Sequence, residues 1–465
     1  MATVEAEHRE GTAAEGHPAS PGPAGGLTPA QRRWLVAILV AAAGVRLAWA
    51  LYATQEPIRA IGGDAYSYYY YGKELAAGDG YVNYLTGEPT AYYPIGYPAI
   101  LAGLFWFVRH TPIPDNLPVA GSLLNAVLGT LSVGLVFVIV RRLFDARVGL
   151  VAAAITAVFP NLVFYVATFQ IETTFIFLAL AAVAVIVTHD WSTGPPGRAR
   201  LMAFGAVFGL SALVRPFSLP LLLALVVAVL AAGYGWRRAL AALGWPLLAL
   251  VVMLMPWTVR NIVVMDAPIV FSTNMGDTLC LDRSLDATGQ FRFATHAGCA
   301  APDTPEVKRN SESTRRAIEF VLEHPDKELE LIAKRAWYMM ENDHDGLIAV
   351  EAGEANRLLG HRLRTVLTRA ADWFFYASLV LAAVGLPAFF RGRRPGRLFV
   401  VVAMLSLIAV PLGLWGNPRF HLPVLPFVAM AAAVPLTRLA FCRAHRTRAA
   451  RDRREESAEP ASVGT

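Results

Sequence analysis

The sequence predicts an all-α, polytopic membrane protein with about ten transmembrane helices. Three observations carry this. The 465 residues are 55% hydrophobic and only 16% charged, with a mean hydropathy of +0.45, whereas a soluble chain carries about a quarter charged residues. Several stretches reach the roughly 20 apolar residues that cross a bilayer. The basic residues fall in short clusters between those stretches, as the positive-inside bias expects. The formal net charge of +6 is therefore no nucleic-acid signal, and no nucleic-acid partner is expected.

Residues 1–33 read as a cytoplasmic tail, rich in Ala, Gly, Pro, Glu and His. It lacks the apolar core of a signal peptide and has a composition that favours disorder. Arg32 and Arg33 precede the first span, 34–53, and hold the N-terminus inside. The chain then emerges outside as loop 55–116, which carries Ile61-Gly62-Gly63-Asp64-Ala65-Tyr66-Ser67 and four further tyrosines. A carboxylate at the membrane–water boundary is costly to hold without a task. The glycines let the backbone turn sharply. The tyrosines suit an interface, and aromatic rings are also sugar platforms. Residues 66–77 fit a short helix ended by Gly78. The apolar run 99–108, after Tyr92-Tyr93-Pro94-Ile95-Gly96-Tyr97-Pro98, is too short to span and reads as an interfacial helix.

Span 117–140 enters the cytoplasm at Arg141 and Arg142, and 148–165 returns outward to a turn that holds Glu172. Span 173–187 goes in, to His189, Asp190, Arg198 and Arg200. Span 201–214 comes out to Arg215-Pro216, 217–232 goes in to Arg237 and Arg238, and 239–257 comes out. Residues 34–257 thus form a transmembrane catalytic module. Residues 258–370 form an extracytoplasmic domain with amphipathic helices at 304–322 and 326–340, separated at His324-Pro325. Cys280 and Cys299 lie in this block, where an oxidising exterior favours a disulfide. Residues 371–441 hold the last helices, with spans 372–390, 398–414 and 422–440, and 442–465 is a basic cytoplasmic tail. The expectation is a plasma (inner) membrane protein with both termini cytoplasmic and its site facing outside.

On this topology Asp64, Glu172, Arg215, Arg260, Arg419 and His421 all sit at outer span ends. Arginines there run against the charge bias, and such placements are often functional. A guanidinium can hold a phosphate by paired hydrogen bonds, and a nearby carboxylate can take a proton from a hydroxyl nucleophile. Together they fit transfer from a phosphate-linked, membrane-embedded donor to an acceptor outside the cell. The plainer alternatives are arginines that snorkel to the headgroups and a Glu172 favoured by a helix dipole.

Five stretches carry a family resemblance. They are Gly63-Asp64-Ala65-Tyr66 with Leu75-Ala76-Ala77-Gly78-Asp79-Gly80-Tyr81; Tyr93-Pro94-Ile95-Gly96-Tyr97-Pro98; Glu172 opening the fourth span; Gly209-Leu210-Ser211-Ala212-Leu213-Val214-Arg215-Pro216; and Asn417-Pro418-Arg419-Phe420-His421-Leu422-Pro423-Val424-Leu425-Pro426. In order and spacing the chain resembles the polyprenyl-phosphate-sugar-dependent membrane glycosyltransferases of the GT-C class, in the branch of the protein O-mannosyltransferases and lipid A aminoarabinose transferases. Tyr93 stands where the aminoarabinose branch usually has Lys. The resemblance implies a GT-C-like bundle with interfacial helices in the first outer loop. It matches Asp64 to the first-loop acid proposed as general base and Glu172 to a second acid close to it. Arg215 and Arg419 match basic residues near the lipid phosphate.

The expected reaction is an inverting transfer of a hexosyl or pentosyl group from a polyprenyl-phosphate donor to an extracytoplasmic glycan, lipid or protein. Asp64 and Glu172 are the catalytic candidates, and Arg215, Arg419 and Arg260 the phosphate binders. Tyr66, Tyr93, Tyr97, His421 and Trp415 are expected in the substrate groove. A divalent metal ion is a candidate cofactor, with Asp64, Glu172 or His421 as ligands. The rival reading is a transporter or flippase of lipid-linked sugars, which would place its charged site near the bilayer midplane, with internal repeats or broken helices. A third is a scaffold whose 258–370 block binds a partner.

Overall fold

The computed structural model describes residues 26–56, 63–112, 116–291, 299–351 and 358–439. Of the tails expected at 1–33 and 442–465, residues 1–25 and 442–465 lie outside the described residues, whereas 29–33 belong to the first helix and not to a disordered tail. Among the described residues there is no extended strand, only isolated bridges.

Helix α1 (Pro29–Ala53) starts where Thr28 and Gln31 form a reciprocal capping box ahead of Pro29. Two helices, α2 (Gly63–Ala77) and α3 (Gly96–Arg109), fill the loop that follows and pack on each other. At 14 residues α3 is about 21 Å long, short of a hydrocarbon core of about 30 Å. Helix α4 (Leu117–Leu143) is capped by Asn116 and closes on Arg141 and Arg142, charges that suit a helix C-terminus.

Helix α5 (Ala146–Val158) breaks at Phe159 and resumes as α6 (Pro160–Phe164), with a bend of 60°. Pro160 explains the break: it has no N–H for the carbonyl of Thr156 and disfavours helical geometry at Phe159. The freed carbonyls of Thr156 and Ala157 accept instead from the Arg46 guanidinium of α1, at 3.1 and 2.8 Å. This accounts for a buried arginine in the middle of an apolar span.

The bundle continues with α7 (Glu172–Val187), α8 (Arg198–Val214), α9 (Leu221–Ala231), α10 (Trp236–Ala241) and α11 (Gly244–Met265). Helix α8 lies against both α7 and α11, and α4 packs on α1, α5 and α7. Nearly all of α7 is buried, which puts it at the centre of the bundle. The polar block comprises α12 (Asn274–Cys280), α13 (Glu306–Glu323), α14 (Pro325–Met340) and α15 (Asp345–Val350). Helices α13 and α14 fall where amphipathic helices were expected. The chain ends with α16 (His361–Gly385), α17 (Pro387–Phe390), α18 (Pro395–Leu412) and α19 (Pro418–Leu439), which opens with a 3-10 stretch.

All ten segments expected to span are helical over most of their described residues. Six are long and apolar enough to cross a membrane, and the bent pair α5–α6 makes a seventh. Helices α7, α8 and α9, with 16, 17 and 11 residues, are shorter.

Two devices fix the polar block. Cys280 and Cys299 form a disulfide with Cα atoms 5.7 Å apart and 19 residues apart in sequence. A loop of that size contributes about 3 kcal/mol. Cys280→Ser, or dithiothreitol, is expected to lower the thermal midpoint of the purified protein, and an unchanged melt would show that the bridge carries no stability. The second device is ionic. Arg335 of α14, fully buried, holds Asp282 at 2.9 Å and Glu328 at 2.7 Å, and Arg283 holds Glu328 at 2.8 Å. The same two guanidiniums reach the carbonyls of Leu412, at 3.2 Å, and Gly413, at 2.8 Å. The polar block thereby grips the end of α18, just ahead of the loop that carries Trp415 and Arg419.

Candidate active site

Four helix termini bring four charged side chains to one point. Asp64 is the second residue of α2, and Gly63 before it has φ +77°, a conformation that glycine adopts without strain. Glu172 is the first residue of α7, where the helix dipole favours an acid. Arg215 follows α8 in extended geometry because the next residue is Pro216. Arg419 opens α19 after Asn417, whose side chain accepts from the Arg419 N–H at 2.8 Å.

Gly96 sets how closely α3 approaches the end of α8. A Cβ there would stand 2.6 Å from the backbone of Leu213 and Val214. Gly96→Ala is expected to push the end of α8 away, cost about 1–3 kcal/mol as overpacking does, and shift Arg215. The checks are a lower thermal midpoint and slower turnover than wild type.

Arg419 bridges the two acids. Its Nη1 lies 2.6 Å from Asp64 Oδ2, and its Nε donates to Glu172 Oε1. Arg215 Nη1 reaches the same Glu172 oxygen at 3.1 Å. The Tyr93 hydroxyl donates to Asp64 Oδ1 at 2.8 Å. The Glu172 side chain is 0% exposed and Arg215 7%, while Asp64 is 34% exposed. The glutamate therefore fixes the two arginines from behind, and the aspartate is the acid that faces open space. Burial alone would raise the Asp64 carboxyl, but the Arg419 charge and the hydrogen bonds from Arg419 and Tyr93 outweigh it and hold the group below its ordinary value. Burial, reinforced by the Asp64 charge, pushes the Tyr93 hydroxyl well above the usual phenol range, so it remains a donor.

That space is a cavity of about 400 Å³ lined by Asp64, Arg215 and Arg419, with Tyr93 and Trp415 on its walls. The Arg215 guanidinium sits 4.1 Å from the Phe217 ring centre and 5.0 Å from that of Phe420, and Trp415 meets Phe420 edge-on. At the rim Asp277 of α12 accepts from Tyr92 at 3.0 Å and pairs with Arg309 at 2.9 Å. An anionic group entering here meets two fixed guanidiniums, the Asp64 carboxylate and, at the rim, Asp277 already paired with Arg309.

Of the residues singled out in the sequence, Asp64, Glu172, Arg215, Arg419, Tyr93 and Trp415 come together. Glu172 lies behind the cavity wall rather than on it, and the other four stand apart from this cluster. Arg260 clamps the carbonyls of Thr90 and Tyr81, each at 2.8 Å, over the Trp257 ring, tying the first loop to α11. Tyr66 stacks on Tyr70 and meets Tyr84 edge-on. Tyr97 is fully buried and accepts from Asn125 at 3.4 Å. His421 is turned away, bonded to Met339 O at 2.5 Å and Asp343 at 2.8 Å and stacked on Phe375. The cavity also holds residues that sequence reasoning missed: Tyr68, Phe217, Phe420 and Asp277. A signal existed for three. Tyr68 is one helical turn after Asp64, and Phe217 and Phe420 follow the two arginines directly or after one proline.

The donor set suits a metal ion poorly. Among the described residues no group of three or more His, Cys, Asp or Glu side chains is placed to hold one. His421 is committed to Asp343, and the two remaining candidates, Asp64 and Glu172, are already matched by two arginines.

Residues 104–259 match the family model of the dolichyl-phosphate-mannose-protein mannosyltransferases. Among solved structures, the chain resembles the archaeal oligosaccharyltransferase AglB from Archaeoglobus fulgidus in complex with an inhibitory peptide and a dolichol-phosphate. The TM-score is 0.52 at 14% identity, over 94% of this chain and 53% of that one. It therefore spans about half the length of that enzyme. ArnT from Cupriavidus metallidurans bound to undecaprenyl phosphate is matched with a TM-score of 0.44 at 17% identity, over 84% of this chain and 78% of that one. No curated protein matches. The family match covers residues 104–259, and the likeness to AglB shows that the chain shares the helical fold of that protein.

Proposed function

We propose that the protein transfers a sugar from a polyprenyl-phosphate carrier to an acceptor on the outer side of the membrane, with inversion at the anomeric carbon. The observation that carries this reading is the partly exposed Asp64 carboxylate in a 400 Å³ cavity that also holds Arg215 and Arg419. Asp64 takes the proton from an acceptor hydroxyl or amine. The acceptor atom attacks the anomeric carbon as the bond from that carbon to the phosphate oxygen breaks, and the carrier phosphate leaves with an added negative charge. Arg215 and Arg419 stabilise that charge where it develops. Glu172 holds both guanidiniums in place from its buried position. Phe217, Phe420 and Trp415 give the cavity an apolar wall for the sugar face or the first carrier units.

Arg419 also links donor binding to basicity. Without a donor it spends part of its charge on Asp64. A donor phosphate competes for the same guanidinium, and as Arg419 turns to it Asp64 becomes a stronger base. On this reading the proton acceptor is activated only when the sugar is in place.

The arginines stand where a metal ion would otherwise neutralise the phosphate, so transfer is expected to persist in EDTA. The test is sugar transfer from radiolabelled polyprenyl-phosphate mannose, arabinose, glucose and galactose in membranes holding the protein, with and without chelator. Consumption of one donor supports the enzyme and names its sugar. Movement of labelled lipid across the bilayer without sugar release would replace this reading by transport. EDTA-sensitive transfer restored by Mg²⁺ or Mn²⁺ would return the metal to the mechanism.

A further inference from the structure

A second cavity, of about 380 Å³, lies at the other end of the bundle. Helix α7 starts in the acid–arginine site at Glu172 and ends at this cavity with Val187. Helix α18 starts at it with Pro395 and ends just before Leu414 and Trp415 of the first cavity. Their 16 and 18 residues put the two cavities about 24–27 Å apart along the bundle, close to the roughly 30 Å thickness of a bilayer's hydrocarbon core.

Four arginines line the second cavity, Arg142, Arg391, Arg394 and Arg397, against one carboxylate, Asp190. Arg397 is committed: it donates to the carbonyls of Leu143, Ala388 and Arg391 and lies over the Phe144 ring. It builds the wall. Arg142 donates to His189 O at 3.2 Å and stands 3.7 Å from Asp190, whose oxygen already accepts from Ser192. Arg391 and Arg394 have no carboxylate partner among the described residues. Helix α18 adds the positive end of its dipole, with Pro395 and Gly396 on the cavity wall. Leu143, Val187 and Trp191 supply an apolar side.

Here uncompensated guanidiniums converge on a concavity at the end of membrane helices, with an apolar wall beside them. We propose that this cavity binds a phosphate group, presented by the headgroup of an anionic lipid in the leaflet opposite the Asp64 cavity. Arg391 and Arg394 take the phosphate oxygens by charge-assisted hydrogen bonds, and basic pockets between membrane helices bind acidic headgroups in this way. The inference does not rest on the proposed reaction, since it uses none of its residues.

The test uses the full-length protein in a zwitterionic detergent, titrated with dioctanoyl phosphatidylglycerol and read by native mass spectrometry. Arg391→Ala/Arg394→Ala is compared with Arg237→Ala/Arg238→Ala, which removes two exposed charges outside the cavity. The cavity pair is expected to weaken lipid binding roughly 30-fold, from the contribution of two arginines near an anionic headgroup, and the control pair less than about threefold. Displacement of the lipid by millimolar inorganic phosphate, lost in the cavity pair, would support the site and make free phosphate its ligand. Absence of displacement would assign it to the lipid. Equal losses in both pairs, or no loss in either, would overturn the proposal. Among the described residues no side chain bonds to the Arg391 or Arg394 guanidinium, so an unchanged thermal midpoint is expected for the cavity pair.

Discussion

Asp64→Asn is expected to slow sugar transfer by about 10²–10⁴-fold, the usual contribution of a positioned general base, while the protein stays folded. The amide keeps the shape of the carboxylate but cannot take a proton. Asp64 is one-third exposed and its pair with Arg419 faces the cavity, so the loss of that pair costs about 1 kcal/mol or less. Activity and stability should therefore separate in this variant. Transfer at wild-type rate, in membranes with normal expression, would remove Asp64 as the base. The wild-type pH profile carries a second consequence. The folded Asp64 is held below its ordinary value of about 3.9, chiefly because the Arg419 charge and two hydrogen bonds outweigh its burial. Its contribution to stability is present above that ordinary value and is lost as pH falls through the folded value. The acid limb of kcat/KM, which reports the free enzyme, should thus lie below the ordinary carboxylate range. The acid limb of kcat should lie higher, because the donor phosphate draws Arg419 away. Limbs in the reverse order would rule out that exchange.

Sequence reasoning reached depth more readily than direction. Hydropathy and the arginine clusters place each residue along the membrane normal, and at that level Asp64, Glu172, Arg215, Arg260, Arg419 and His421 look alike. Which of them meet is decided around the helix axes and between segments far apart in the chain, as with Asp64 and Arg419. Arg260 lies within α11 and is drawn off by the carbonyls of the first loop. His421 is two residues beyond Arg419 in a 3-10 stretch, which turns it to the opposite side and onto Asp343. Arg46 falls inside an apolar span, where hydropathy gives it no role, yet the Pro160 that demands it is visible in the sequence. A proline that opens a broken helix leaves carbonyls to satisfy, and a lone arginine at matching depth is the group able to reach them. The amphipathic helices α13 and α14 were legible because one helix-breaking proline separates two strongly periodic runs.

Arg419→Ala should show the opposite pattern to Asp64→Asn, with activity and stability falling together. Two buried or partly buried carboxylates share this one guanidinium. Its removal leaves Glu172, 0% exposed, with Arg215 alone, and Asp64 with only Tyr93. Breaking a buried ion pair from one side costs about 3–5 kcal/mol because the remaining charge stays desolvated. The loss of a donor aimed at developing charge costs about 10²–10³-fold in kcat. The two effects can be told apart. Asp64→Asn combined with Arg419→Ala removes the carboxylate left without a cation while Glu172 keeps Arg215, so it should recover part of the thermal midpoint and none of the transfer. Arg419→Lys keeps the charge but cannot span both acids and a phosphate with one rigid fork. It should therefore fall between wild type and alanine in rate, with a higher KM for the donor. If Arg419→Ala lost stability but kept its rate per folded molecule, Arg419 would be a strut between helices, and the leaving phosphate would have to be held by Arg215 alone.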